Sequence, residues 1–133
     1  MGDRDIHRTR PAALNTNYKY EQFWEEMRVS GDKPDRRSYH TAVEWSNDLY
    51  VFGGQDLREG AFCDLWVLRL DRDNHGSSHD TWEKLGIDEY APKELCRHSA
   101  VVNSNRMYIF GGTNNFTENN KIHCYDMMSK EWI

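Results

Sequence analysis

Leu49-Tyr50-Val51-Phe52-Gly53-Gly54 and Met107-Tyr108-Ile109-Phe110-Gly111-Gly112 are one pattern written twice, 58 residues apart. The match extends outward on the N-terminal side. Between residues 40–54 and 98–112, nine of fifteen positions are identical, and Thr/Ser, Leu/Met and Val/Ile exchanges add three more. Trp24 and Trp82 stand at the same offset. A repeat of about 50 residues is the signature of an array of equivalent supersecondary units, each of which buries its apolar face against a neighbour. The fold is therefore a matter of what one unit is and how units stack.

Each unit reads as short strands. Tyr39–Trp45 and Leu49–Phe52 are two strand runs split by Ser46-Asn47-Asp48, and Ser104-Asn105-Arg106 splits the second copy in the same way. Both splits predict tight hairpins, because Asn tolerates the positive φ that such turns need. Cys63–Leu70 predicts a third strand and Thr81–Leu85 a fourth. The second unit continues through Arg97–Val102, Met107–Phe110, Lys121–Tyr125 and Glu131–Ile133. Gly-Gly to Trp spans 28 positions in the first unit and 20 in the second, so the hydrophilic stretch Asp71–Asp80 reads as an insertion. Nowhere is there a convincing long helical period.

Composition agrees. The 133 residues are 13% aromatic, with five Trp, which suits flat side chains packed between sheets. Mean hydropathy of -0.93 means that the apolar residues are few and concentrated. A formal net charge of -5 argues against a general electrostatic nucleic-acid binder, which relies on clustered cations. Three Cys (Cys63, Cys96, Cys124) lack metal-ligand spacing and read as free thiols in a reducing compartment. With no apolar run near the ~20 residues of a membrane span, the expected location is the cytoplasm or the nucleus, with no membrane contact. Asn115-Phe116-Thr117 matches a glycosylation sequon and is expected to be a chance match in a polar loop.

Four antiparallel strands, Gly-Gly after the second and Trp in the fourth resemble the kelch repeat of β-propellers. The resemblance covers residues Phe23 to Ile133. It implies an all-β fold of four-stranded antiparallel kelch-type blades: two repeats plus the last strand of a preceding blade, together an incomplete propeller. The expected organisation is a flexible arm over 1–17, the outer strand of a preceding blade over 18–31, one repeat over 32–91, and a second over 92–133 that is cut short in its fourth strand. Gly53, Gly54, Gly111 and Gly112 are expected where a Cβ has no room. Trp24, Trp82 and Trp132 are expected to fill gaps between blades, and Tyr50 and Tyr108 to lie between sheets. Two blades leave two apolar faces bare, so the remaining blades are expected from a longer chain or from oligomerisation. An Arg often precedes the first strand in this family. Arg37 matches it, and Leu95 occupies the corresponding place in the second unit. Some similarity to the leucine-zipper-like transcriptional regulator branch is also evident in the first strand pair and in Tyr108-Ile109-Phe110-Gly111-Gly112.

Strand parity in an antiparallel meander puts the loop after strand two and the loop before strand one on the same rim. Residues 31–38, 55–62, 86–96 and 113–120 therefore belong together. The resemblance implies that partners bind there, as in propellers that act as adaptors or substrate receptors of ubiquitin ligases. Arg36, Arg37 and Arg58 are the candidates for gripping an acidic peptide, because guanidinium forks pair with carboxylates. Asn114 and Asn115 are further rim candidates. No cofactor and no catalytic residue is expected. His75 and His79 are four apart, but in a Gly/Ser-rich linker where nothing holds them on one face, so no metal is expected either. An iron motif of some kelch proteins fails at Val67. The alternative is a fragment of a metal-dependent kelch enzyme of the galactose-oxidase type, drawing on Cys96 with Tyr39 or Tyr90.

Overall fold

The structure, a computed structural model, describes residues 24, 26–70 and 80–133. Ten strands run in chain order: β1 (Thr41–Trp45), β2 (Asp48–Phe52), β3 (Gln55–Asp56), β4 (Gly60–Ala61), β5 (Leu65–Arg69), β6 (Thr81–Lys84), β7 (Ser99–Asn103), β8 (Arg106–Phe110), β9 (Ile122–Asp126) and β10 (Glu131–Trp132). They form two antiparallel four-stranded sheets, ordered β1-β2-β5-β6 and β7-β8-β9-β10, and the small hairpin β3-β4. The registers repeat: Thr41 pairs with Phe52 and Phe52 with Leu65, as Ser99 pairs with Phe110 and Phe110 with Ile122. These are two all-β blades, as the repeat predicts.

Local chemistry sets the strand ends. Tyr39 and Arg97, at equivalent positions, have φ of 59° and 62°, so the inner strands begin two residues later than the sequence pattern suggests. At these kinks the Arg97 N–H donates to the Tyr39 carbonyl (2.9 Å), and its guanidinium lies 4.2 Å above the Tyr39 ring. The two hairpin turns are not copies. Ser46 and Asn47 both take positive φ, but in the second turn only Ser104 does. Asn105 instead uses its side-chain amide to donate to both carboxylate oxygens of Asp126, which accepts in turn from the Met128 and Ser129 N–H groups.

The core lies between the blades. Tyr50, Phe52, Leu65 and Val67 of the first sheet face Met107, Ile109, Tyr125 and Trp132 of the second. Trp132 closes this seam edge-on to Phe52 (centroids 5.4 Å apart) and to Tyr125 (5.1 Å). His98 enters it at 5.3 Å from the Phe52 ring, with Nε2 hydrogen-bonded to Thr41 Oγ1 at 2.8 Å. Burial in this apolar slot pulls the His98 imidazole down to about 4. The same cause pushes the Tyr125 hydroxyl up to about 12, and it has no hydrogen-bond partner among the described residues.

The structure departs from three expectations. Tyr108 is only half-buried, because it lies on the face of the second blade that points away from the first. Trp82 is no departure: it lies half-buried against Trp66 on the far side of the first blade. Trp24 is 81% exposed, and no strand forms over 24 and 26–31; Ser30 makes a single parallel bridge to Thr81 at the open edge of β6. A fourth strand needs the third strand of its own sheet, and none precedes this segment among the described residues. Finally, two bare faces were expected, yet Val51, Trp66 and Leu68 on the far side of the first blade are buried. The exposed apolar face belongs to the second blade. Residues 1–17, the expected arm, lie outside the described residues.

Candidate partner-binding rim

The four loops do converge on one rim, held by backbone hydrogen bonds. Ser38 and Gln55 exchange N–H···O bonds of 2.9 and 2.8 Å, and Cys96 and Thr113 do so at 2.9 Å in both directions. The blades are joined where the Leu95 N–H donates to the Phe62 carbonyl (3.0 Å) and the Leu95 carbonyl accepts from the Gly54 N–H (2.9 Å). Cys96 is buried here, its thiol donating to Gln55 Oε1 at 3.1 Å.

Arg36 and Arg58 lie exposed on this rim. Each side chain is 74% exposed, and both lean on the same carboxylate, Asp56, at 3.4 and 3.9 Å. Asp56 is fixed by the hairpin: its Oδ1 accepts from the Arg58 and Glu59 N–H groups, which with the nearby guanidiniums hold its carboxyl below the usual carboxylate range. Arg36 and Arg58 share this carboxylate, with Lys33, Asp35 and Glu59 beside them. The two arginines border a shallow groove of about 400 Å³ with Ser38 and Gln55, and Leu57 stands 93% exposed at its edge.

Arg37 does not join them. Its side chain is only 4% exposed and forms a bidentate pair with Asp64 at 2.6 and 3.1 Å. It also donates to the Gly53 carbonyl at 3.0 Å and covers the Phe62 ring at 4.3 Å. Burial alone would raise the Asp64 carboxyl; the donors on Arg37 and on the Trp66 indole outweigh it and hold the group low. Arg37 is thus a bolt inside the first blade. In the second blade Leu95 and Lys121 replace the pair, and the Asn119 side-chain amide donates to the Gly111 carbonyl instead, at 3.1 Å. Sequence comparison by position misses this, since Asn119 reaches the carbonyl from a different loop.

Asn114 is also spent on structure. Its Oδ1 accepts from the Phe116 and Thr117 N–H groups, the same turn that Asp56 builds in the first blade. Asn115 takes φ of 80° at the tip, and its amide comes within 3.9 Å of the Cβ position of Gly60, which brings the two blades' hairpins side by side. Phe116, 90% exposed, projects from this second tip. Leu57 and Phe116 are the exposed apolar residues of the two hairpin tips, and the Asp56/Asn114 turn signal is what could have marked both.

Among the described residues no three His, Cys, Asp or Glu side chains group to hold a metal ion, and no helix is long and apolar enough to cross a membrane. His75 and His79 lie outside the described residues.

Blades of four antiparallel strands, joined through a double-glycine edge and closed by a seam Trp, define a β-propeller repeat protein. Comparison with known proteins specifies the class further. The model of the KLHDC2/KLHL20/DRC7 Kelch-repeats domain matches residues 7–133, and the chain belongs to the kelch-repeat family. It is 32% identical over 106 residues, 74% of its length, to human Kelch domain-containing protein 10, of which it covers 24%. It is 28% identical over 110 residues, 82% of its length, to Acyl-CoA-binding domain-containing protein 4 of Arabidopsis thaliana, covering 15% of that protein. The leucine-zipper-like transcriptional regulator 1 homolog of Drosophila melanogaster matches at 26% over 116 residues, 86% of the chain and 11% of that protein. The chain thus spans about a quarter or less of the relatives it matches.

Proposed function

We propose that the chain is a non-catalytic protein-interaction module whose rim receives an acidic segment of a partner, with Arg36 and Arg58 as the anchoring cations. The observation that carries this is the shared carboxylate: two guanidiniums, each 74% exposed, lean on one buried-edge Asp56 and keep donor capacity for an incoming carboxylate. Leu57 and Phe116 supply an apolar contact beside it. Such a surface suits an adaptor or a ubiquitin-ligase substrate receptor working in the cytoplasm or nucleus, without nucleic acid or membrane. Membership of the kelch family supports the general role of a protein-interaction domain.

Selection from a random-peptide display library tests this directly. The wild-type chain is expected to enrich peptides that carry Asp or Glu beside a large apolar residue. The Arg36→Ser/Arg58→Ser variant is expected to bind those peptides at least ~10-fold more weakly, a loss of about 1.4 kcal/mol. Enrichment of neutral or basic peptides, or undiminished binding by the variant, would refute the proposal.

A further inference from the structure

Ser38 presents an exposed hydroxyl on the wall of the groove that Arg36, Arg58 and Leu57 border. Its backbone is held to Gln55 in both directions, at 2.9 and 2.8 Å. Its Oγ reaches only the Gln55 carbonyl, at 3.5 Å, the outer limit of a hydrogen bond. The hydroxyl is thus fixed in place and barely committed. The guanidiniums beside it are loosely committed too, at 3.4 and 3.9 Å from Asp56. Asp56 Oδ1 accepts from the Arg58 and Glu59 N–H groups at 2.7 and 3.2 Å, and keeps both donors if the arginines leave. Both side chains can therefore turn to a stronger anion without stranding that carboxylate.

We propose that Ser38 is a phosphorylation site and that its phosphate is received by Arg36 and Arg58 of the same chain. A serine/threonine kinase transfers the γ-phosphoryl group of ATP to Oγ. The O–P bond forms as the bond to the bridging oxygen of the β-phosphate breaks, ADP leaves, and the hydroxyl proton passes to solvent. Lys33 and Arg36, both exposed, lie N-terminal to the hydroxyl, where a kinase with an acidic cleft can read them. No strand or helix holds residues 32–37, and Ser38 sits in one isolated bridge before the Tyr39 kink at φ 59°. The segment can open locally while the sheets stay intact. The phosphate adds nearly two negative charges and three strong acceptor oxygens. Asp35, Asp56 and Glu59 oppose it, and Lys33, Arg36 and Arg58 attract it. The guanidiniums prevail because they can close to bidentate contact, whereas Asp56 is pinned to its hairpin. The consequence rests on the reading of this arginine pair as the partner's anchor: phosphorylated at Ser38, the chain carries its own anion in the groove and turns acidic segments away.

The chain is first incubated with ATP and a set of arginine-directed serine/threonine kinases. Phosphate is expected at Ser38, with none in Ser38→Ala at that tryptic peptide; no incorporation at Ser38 overturns the proposal. Chain carrying genetically encoded phosphoserine at position 38 is then titrated by phosphorus NMR. The second ionisation, about 6 in an unstructured peptide, is expected below about 5.5 and should return toward 6 in the Arg36→Ser/Arg58→Ser background. An unshifted or raised value, or a lowered one that survives the double substitution, overturns the proposal. Finally, acidic peptides selected on the unmodified chain should bind the phosphorylated chain at least ~10-fold more weakly. Equal binding overturns the switch while the anchoring role stands. Failure of the unmodified chain to bind any acidic peptide refutes the anchoring role instead, and the phosphorus titration still decides whether the two arginines hold the phosphate.

Discussion

Replacing Gly53 and Gly111 separately by Ala distinguishes a glycine required by backbone conformation from one required by a neighbouring blade. Both have positive φ, +64° and +80°, so each Ala carries the left-handed penalty of about 1–2 kcal/mol. At Gly111 the cost stops there, since the Cβ enters open space. At Gly53 it would lie 2.5 Å from a backbone carbonyl, which cannot swing aside as a side-chain end can. Leu95 must retreat, losing its hydrogen bond to the Gly54 N–H, about 1 kcal/mol, and straining the packed seam by about 1–3 kcal/mol more. The expected totals are about 3–6 kcal/mol for Gly53→Ala and about 1–2 kcal/mol for Gly111→Ala. Sequence alone gives these two positions equal weight. Gly60, in the β3–β4 hairpin, stands at φ +90° and so is not an unstrained comparison. Gly86, with ordinary φ and open surroundings, serves instead, and Gly86→Ala should change stability by under about 0.5 kcal/mol. Urea unfolding of the variants reads the differences. Equal losses at Gly53 and Gly111 would refute the seam geometry.

Two further outcomes follow from buried polar groups. Arg37→Met leaves Asp64 and the Gly53 carbonyl without their main donor and should cost about 3 kcal/mol, while rim binding by the folded fraction is retained; Arg37→Met/Asp64→Leu should recover part of the loss in urea titrations. Because the folded-state value of His98 is depressed from 6.5 to about 4, the unfolded chain takes up the proton first. Its stabilisation is therefore complete above pH 6.5 and is lost as pH falls toward 4, by at most about 3 kcal/mol. His40 and His123, also lowered by burial, add to the same window, so the pH profile of His98→Gln against wild type isolates the contribution; parallel profiles would contradict it.

The architecture was legible because its causes are local and repeated. Ser46-Asn47 marks a turn, Tyr50-Val51-Phe52 alternates across a sheet, and Gly53-Gly54 follows each time, so strands, order and rim could be read without coordinates. What separated equivalent positions was tertiary. Arg37 looked like a rim cation because nothing in its local sequence shows that Asp64, 27 residues on, closes on it inside the blade. Asn114 looked available because a polar side chain in a loop reads the same whether it faces solvent or caps its own turn. Tyr108 and Gly111 differ from Tyr50 and Gly53 only in what stacks against them, a property of the array rather than of the repeat. Arg36 and Arg58 were recognisable, but their common carboxylate was not, since the β3–β4 hairpin that aims Asp56 rests on the φ of Gly60.

The central claim is that the two sheets form one stacked unit through the Phe52–His98–Trp132 seam, with the rim built on it. Nuclear Overhauser contacts between the Trp132 and Phe52 rings, 5.4 Å apart between centroids, test it most directly. The account predicts strong Trp132–Phe52 and His98–Phe52 cross-peaks together with a protected Gly54 amide. Their absence in a folded sample that retains the contacts within each sheet would show that the blades do not stack, and the composite rim would fall with them.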